Sequence, residues 1–379
     1  MDFQWTDQDL HRIERSRKFA EQDLTSSPKK SGFPKEMWDA CAREGLLGLP
    51  LPAEWGGQDL SLLSTVGVFE ALGRGGADRG LLFAIGAHLF GCAMAVSKYG
   101  RDDQRDKYLG RMANGETIAA LAMTEPRCGS SVSQMETTAE QIADGYLLDG
   151  TKTFVTNGSD ASVFLVIASE APKRKAMGLT AFLVPADSPG LTTEALPASG
   201  MPLAPMAKVH FNQCQVSHHC VLGQSCGGYA VLLSSMQYER TAILSGFLGA
   251  AELDLVRCVD RMKQRFDHQG PLLGYQAVSH RLAKMQCRVE TARWLLYRGA
   301  WAVDHGQDAT LWPAIVKYTV SETIVECALE VLRIFAGDGW LDRFGSASAL
   351  NDVIGTLSAS GTSETQLNVV VSGLAKGMR

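Results

Sequence analysis

The apolar positions of this chain change period twice. From about residue 7 to 114 they recur at helical spacing, as in Leu10, Ile13, Phe19 and Ala20 and then Trp38, Ala42 and Leu46. Glycine-rich breaks at Gly56-Gly57 and Gly73-Arg74-Gly75-Gly76 separate the helices this predicts. The stretch 81–99 is almost entirely small and apolar, which predicts a helix buried on all sides.

From Ile118 to about Gly223 the pattern becomes that of strands. Thr153-Phe154-Val155-Thr156, 163–168, 180–184 and Val209-His210-Phe211 are β-rich runs bounded by turn residues. Asp149-Gly150 and Asn157-Gly158 are hairpin signals, and the spacing predicts a small barrel or sandwich of antiparallel strands. Pro172-Lys173-Arg174-Lys175 reads as a charged loop between two strands. After Gly227-Gly228 the helical period returns in three long runs, about 229–266, 275–305 and 311–335, as in a helical bundle. The chain is therefore α+β, mainly α. It divides into an N-terminal helical domain (residues 1–117), a middle β domain (residues 118–224) and a C-terminal helical domain (residues 225–379).

Composition removes several classes of function. A chain of 379 residues buries a large core, and 45% hydrophobic with 20% charged residues is ordinary globular usage. A net charge of -5 argues against nucleic acid. No apolar run is expected to span a bilayer, and Met1-Asp2-Phe3-Gln4-Trp5 opens no secretory signal, so the cytoplasm is expected. Nine cysteines without a Cys-x-x-Cys pair read as reduced thiols. His218-His219-Cys220, with Cys214 and Cys226 nearby, matches no tetrahedral ligand spacing, so no metal is expected.

Two motifs carry the chemistry. Met123-Thr124-Glu125-Pro126-Arg127-Cys128-Gly129-Ser130-Ser131 is similar to the Thr-Glu-Pro-x-Ala-Gly-Ser-Asp motif of acyl-CoA dehydrogenases. Gly150-Thr151-Lys152-Thr153-Phe154-Val155-Thr156-Asn157-Gly158 resembles their Gly-x-Lys-x-(Trp/Phe)-Ile-Thr-Asn-Gly motif. The resemblance extends over the whole chain. It implies a helical domain, an antiparallel β-barrel domain and a C-terminal four-helix bundle, assembled as a homotetramer with FAD. A flavin ring has polar edges that need donors and an apolar face that needs a cover. The resemblance gives the edge to Thr124 and Thr156, the face to Phe154 and the pyrophosphate to Ser130, with Met123 and Gly129 in the same loop.

The resemblance continues in the C-terminal domain. Arg265 stands eleven residues before Gln276, an offset at which the family places an arginine on the FAD pyrophosphate of a neighbouring subunit. His268 and Gln269 replace the family's Phe-Gly pair there. Arg333-Ile334-Phe335-Ala336-Gly337-Asp338-Gly339 resembles Gln-x-Phe-Gly-Gly-x-Gly, with Arg333 in place of glutamine. Thr362 and Glu364 belong to a loop that lies near the cofactor in the family.

That loop, Ser358-Ala359-Ser360-Gly361-Thr362-Ser363-Glu364, resembles the Glu-Gly-Thr-Ser stretch in which many acyl-CoA dehydrogenases carry their base, but Ser360 stands where the glutamate would be. A carboxylate reappears at Glu239, in the middle of a long apolar helix. Met236, Ala242 and Ile243 lie at helical spacing around it. A carboxylate on such a face is costly unless it serves a purpose. Glu239-Arg240 matches the base position of isovaleryl- and long-chain acyl-CoA dehydrogenases and of dehydrogenases that act on prolyl groups held by peptidyl carrier proteins. The resemblance is closest to the last group, which implies secondary metabolism. It places Arg240 and Ser360 at the substrate. The basic loop Lys173, Arg174 and Lys175 fits the acidic face of a carrier protein or a CoA phosphate.

The leading expectation is α,β-dehydrogenation of an acyl or aminoacyl thioester on a carrier protein or CoA, with an electron-transfer flavoprotein or oxygen as acceptor. An ordinary short- or branched-chain acyl-CoA dehydrogenase, a flavin monooxygenase on the same fold, and a non-enzymatic scaffolding paralogue stay open on the sequence.

Overall fold

A computed structural model describes residues 5–25 and 32–375. Met1 to Gln4 of the opening segment lie outside the described residues.

The N-terminal domain is helical. Its elements are α1 (Asp7–Asp23), α2 (Lys35–Arg43), α3 (Leu62–Arg74), α4 (Arg79–Gly86), α5 (Met94–Tyr99) and α6 (Asp102–Ala113). Thr6 and Asp78 start α1 and α4 by accepting hydrogen bonds from first-turn N–H groups. Between α4 and α5 the chain runs on as a π-helix, Ala87–Ala93. The whole run Arg79–Tyr99 is long and apolar enough to cross a membrane, which corrects the expectation that no such run exists. Its apolar window is 89% buried inside the protein, as its uniformly small, apolar sequence predicts.

The middle domain is one eight-stranded sheet in the order β6-β7-β3-β2-β4-β5-β8, with β1 added beside β4. The strands are β1 (Ala119–Ala122), β2 (Thr138–Ile142), β3 (Gly145–Thr156), β4 (Val163–Ser169), β5 (Leu179–Pro185), β6 (Leu191–Leu196), β7 (Met206–Ser217) and β8 (Val221–Leu222). The sheet is mixed, because β1 and the start of β2 run parallel to β4. Two expected hairpins take other forms. Asp149-Gly150 is a bulge inside β3, where Gly150 at φ 144 lets the strand press on Thr137, and the β2–β3 turn falls earlier, between Ile142 and Gly145. Asn157-Gly158 ends β3 without pairing it to β4, and Asn157 anchors the turn by donating its Nδ2–H to the Ala84 carbonyl at 2.9 Å.

The C-terminal domain comprises α7 (Gly228–Ala242), α8 (Ser245–Gln264), α9 (Gln276–Asp304), α10 (Leu311–Phe335), α11 (Ser346–Ile354) and α12 (Ser363–Ala375). The single helix expected over 229–266 is two. Ser245 Oγ donates to the Ala242 carbonyl at the joint. Beyond it, α8 meets α3 backbone to backbone. A Cβ on Gly73 would fall 1.7 Å from the Gly246 carbonyl oxygen, and one on Gly249 would fall 1.9 Å from that of Glu70. Beside this contact the buried Glu70 carboxylate accepts from Arg293 Nε and Tyr297 Oη, both at 2.6 Å, tying α3 to α9. One continuous apolar core runs through both helical domains and one face of the sheet, and a second fills the other face. α7 thereby lies between the π-helix, the sheet and α10.

Candidate active site

Glu239 sits on α7 with Met236, Ala242 and Ile243 buried around it. Burial raises its pKa to about 7, while Arg240 and Ser360 pull it back. No ion pair involving Glu239 occurs among the described residues. Across from it lies the π-helix, where a Cβ on Gly91 would stand 3.9 Å from both Cδ and Oε1 of Glu239. Gly91 presents bare backbone to the carboxyl, and a methyl group there would already be in van der Waals contact with it. The Cys92 thiol beside it is pushed up by burial and by Glu239. His88 holds this π-helix in place. Its Nδ1 accepts from the Ala119 N–H at 3.0 Å and its Nε2–H donates to the Met112 carbonyl at 3.2 Å, and burial lowers its pKa to about 4, so the ring is neutral.

The loop after α11 closes over the same space. Ser360 and Gly361 take positive φ, 55° and 96°. Arg240 Nε donates to the Ser360 carbonyl at 3.0 Å, and Gln366 Nε2 donates to the carbonyls of Ser360 at 3.3 Å and Gly361 at 3.1 Å. From below, Lys317 Nζ on α10 donates to the Leu357 carbonyl at 2.9 Å, and Ser363 Oγ donates to Glu322 at 2.6 Å. Lys317 is 1% exposed, and burial lowers its pKa to about 8.

The first flavin-type motif joins this loop directly. Thr365 Oγ1 donates to Ser130 Oγ at 3.1 Å, and Thr362 Oγ1 stands 3.2 Å from Thr365 Oγ1. The two motifs are locked to each other by the Thr153 N–H on the Thr124 carbonyl at 2.8 Å. Beneath them Lys152 Nζ pairs with Glu125 at 2.7 Å and donates to the Met123 carbonyl at 3.1 Å. Burial pushes the Glu125 carboxyl up, but Lys152 outweighs it and the pKa is lowered; burial brings Lys152 down to about 8 against the pull of Glu125. The pair fixes the spacing of the two motifs.

A flavin fits what they present. Phe154 lies at φ 55 with its ring 63% exposed, a large apolar face left bare beside Thr156 and the Thr124 loop. A Cβ on Gly129 would meet only Thr124 Cγ2, at 3.9 Å, so the backbone of the Thr124 loop is uncrowded there. Bare aromatic surface flanked by hydroxyls and backbone groups matches a broad apolar ring with polar edges.

The other predicted residues form a separate group. Arg265 Nη1 reaches the Phe335 carbonyl at 3.4 Å and lies 4.0 Å from Asp338. Arg333 pairs with Glu330, which lines an open groove with Gln276 and Arg281. His268 is exposed and contacts Gln269 at 3.2 Å, and Gly337 faces open space; Glu364, by contrast, is exposed at the start of α12 next to Thr362 and belongs to the Ser360 loop. No hydrogen bond among the described residues joins this group to Glu239. Lys173, Arg174 and Lys175 are all exposed on a turn, Pro172–Gly178, packed against the Val132–Gln134 turn and α7. Of the two adjacent histidines, His218 packs edge-on against Tyr146 at 5.4 Å and His219 is 85% exposed at its side chain.

Sequence reasoning missed the roles of Glu125, Lys152, Lys317, Gln366 and Gly91. Glu125 and Lys152 stood inside the two motifs, and Lys317 was legible as a lone cation in the apolar run Ala314-Ile315-Val316-Lys317. Gly91 and Gln366 carried no local signal.

Models of the acyl-CoA dehydrogenase N-terminal, middle and C-terminal domains match residues 6–116, 120–214 and 227–375. The chain belongs to the acyl-CoA dehydrogenase family. It is 37% identical over 378 residues to an L-prolyl-[peptidyl-carrier protein] dehydrogenase of Pseudomonas fluorescens, covering 99% of this chain and 100% of that one. The crystal structure of the prolyl acyl carrier protein oxidase AnaB superposes with a TM-score of 0.96 at 33% identity, over 98% of this chain and 100% of that one. PigA with FAD and proline gives a TM-score of 0.96 at 30% identity, over 99% of each chain.

Proposed function

We propose that this protein is an FAD-dependent dehydrogenase of an aminoacyl thioester carried by a peptidyl carrier protein, with Glu239 as its base. The observation that carries the reading is a buried carboxyl with a pKa of about 7, facing the bare backbone of Gly91 and covered by a loop that has lost the alternative carboxylate. A base poised near neutral pH suits removal of a proton next to a thioester carbonyl. When bound, FAD supplies the acceptor for the hydride that leaves the β carbon. Glu239 takes the α proton, so two electrons and two hydrogens leave the substrate and a carbon–carbon double bond remains. The buried α7 face and the loop at Ser360 keep water from the carboxylate. Phe154, Thr124, Thr156 and Ser130 hold the flavin, with Met123 and Gly129 in the loop between them.

The finer assignments belong to the same reading. Arg265, Gln276, His268, Arg333 and Gly337 lie apart from Glu239 and complete the FAD site of a neighbouring subunit in a homotetramer. Thr362 and Glu364 border the cofactor, and Arg240 borders the substrate. Lys173, Arg174 and Lys175 receive the acidic carrier protein. Electrons then pass to oxygen or to an electron-transfer flavoprotein, and the protein works in the cytoplasm. The test is anaerobic mixing of the yellow protein with prolyl-carrier thioester. Bleaching of the flavin is expected in the wild type and lost in Glu239→Gln with FAD still bound. Bleaching of Glu239→Gln at the wild-type rate would overturn the assignment in favour of the monooxygenase reading.

A further inference from the structure

The mechanism above leaves one group beside the base unused. Ser360 Oγ is sealed from solvent and has no hydrogen-bond partner of ordinary geometry. It nevertheless stands close enough to Glu239 to lower the carboxyl's pKa. The residue cannot readily turn away. Its carbonyl is held by Arg240 Nε at 3.0 Å and Gln366 Nε2 at 3.3 Å, and its backbone sits at φ 55.

A buried hydroxyl that turns its proton to a carboxylate still has lone pairs able to take one more hydrogen bond. A hydroxyl both donates and accepts. Here the donor side faces a carboxylate, and nothing among the described residues donates to its lone pairs. That acceptor position suits an N–H or O–H that arrives with a bound molecule.

We propose that Ser360 Oγ is the subsite that accepts a hydrogen bond from the α-nitrogen of the aminoacyl group, and that it selects aminoacyl over plain acyl thioesters. This rests on the reading of Glu239 as the base. The nitrogen is bonded to the carbon whose proton Glu239 removes, so a group at the carboxyl's side lies within reach of that nitrogen. The guanidinium of Arg240, buried next to the same loop, disfavours an ammonium and favours the neutral amine, whose N–H the hydroxyl accepts. A carbocyclic acyl group of the same shape brings no donor and leaves Oγ unpaired. Sites built around such a bond discriminate strongly against the analogue that lacks it.

The experiment compares two thioesters on one carrier protein, prolyl and cyclopentanecarbonyl, which share ring size and differ by the nitrogen. Flavin reduction is measured anaerobically in wild type, Ser360→Gly and Ser360→Ala. Glycine tolerates φ 55 without strain, and alanine covers the case in which the added backbone freedom loosens the loop. The expected result is a fall of ~10–100-fold in the ratio of kcat/KM for prolyl over cyclopentanecarbonyl thioester, beyond any loss common to both that comes through Glu239. Equal losses on both substrates, or none on the prolyl thioester, would overturn the subsite and leave Glu239 as base intact. Wild-type protein inert toward both thioesters would overturn the functional reading and the subsite with it.

Discussion

Arg240 Nε donates to the carbonyl of Ser360 at 3.0 Å, across 120 residues of sequence. The cation adjacent to the base on α7 is thus not the partner of Glu239. It holds the loop that covers Glu239. Successive residues on a helix point in different directions, so Arg240 closes the site while Glu239 stays unpaired inside it. An unpaired carboxyl away from water keeps its proton to higher pH, and that sets the pH behaviour of the enzyme.

The first prediction concerns that proton. Flavin reduction should rise with pH and reach half its plateau near pH 7, because only the ionised carboxylate accepts the α proton. Glu239→Gln should lose ~10²-fold or more while retaining FAD. Stability should move the opposite way. The folded pKa lies above the ordinary 4.5, so between about 4.5 and 7 the folded state holds a proton that the unfolded state has released, and stability falls as pH rises through that window. Glu239→Gln should therefore be more stable than wild type at pH 8, by up to roughly 3 kcal/mol, and indistinguishable from it at pH 4.5. Thermal melts at the two pH values check this, and equal melting temperatures at pH 8 would contradict the burial of an unpaired charge.

The second prediction concerns Lys317. Its ammonium fixes the Leu357 carbonyl, three residues before Ser360, and so holds the cover over the base. Lys317→Met removes that donor and leaves the carbonyl unpaired, a cost of ~1–3 kcal/mol. A looser cover admits water to Glu239. The midpoint of the pH–rate curve should then shift downward from about 7 toward the ordinary carboxylate range, and the plateau rate should fall. Lys317→Arg should restore some of both. A stopped-flow pH series reads the shift, and a lower plateau at an unchanged midpoint would limit Lys317 to general stability.

The third prediction concerns the basic turn. Lys173, Arg174 and Lys175 are exposed on a turn that packs against both the Val132–Gln134 turn and α7. Reversing the three charges should raise KM for a carrier-bound substrate about tenfold or more at low salt, leave kcat within about twofold, and lose its effect as salt screens the wild type. Steady-state kinetics at two ionic strengths distinguish this from an inert solvated turn, for which KM would not move.

Glu125 and Lys152 mark the limit of what a motif says. Both lie inside stretches whose resemblance to a flavin family was legible, and both looked like incidental polar residues of a turn and a strand. Packing makes them a sealed ion pair that fixes Thr124 relative to Phe154. The bulge at Gly150 went the other way. Asp-Gly is a strong local hairpin signal, yet Thr137 packs against that glycine and the strand continues. Ser245 likewise stands at the break in a run whose periodicity reads as one helix, and the half that follows packs backbone to backbone on α3.

The sequence by itself determined the order of helices, strands and helices, the two motifs, the loss of a carboxylate at Ser360 and its presence at Glu239. All of these are local, set by residue type and by periods of two or 3.6. Only the tertiary structure decided that Gly91 turns bare backbone to the carboxyl, that Arg240 and Lys317 hold the Ser360 loop over it, and that Ser360 Oγ is buried beside it. Each depends on distances between atoms far apart in the chain, and therefore on how whole helices pack. The same packing removes water from Glu239, and the loss of water is what moves its pKa to where a base can work.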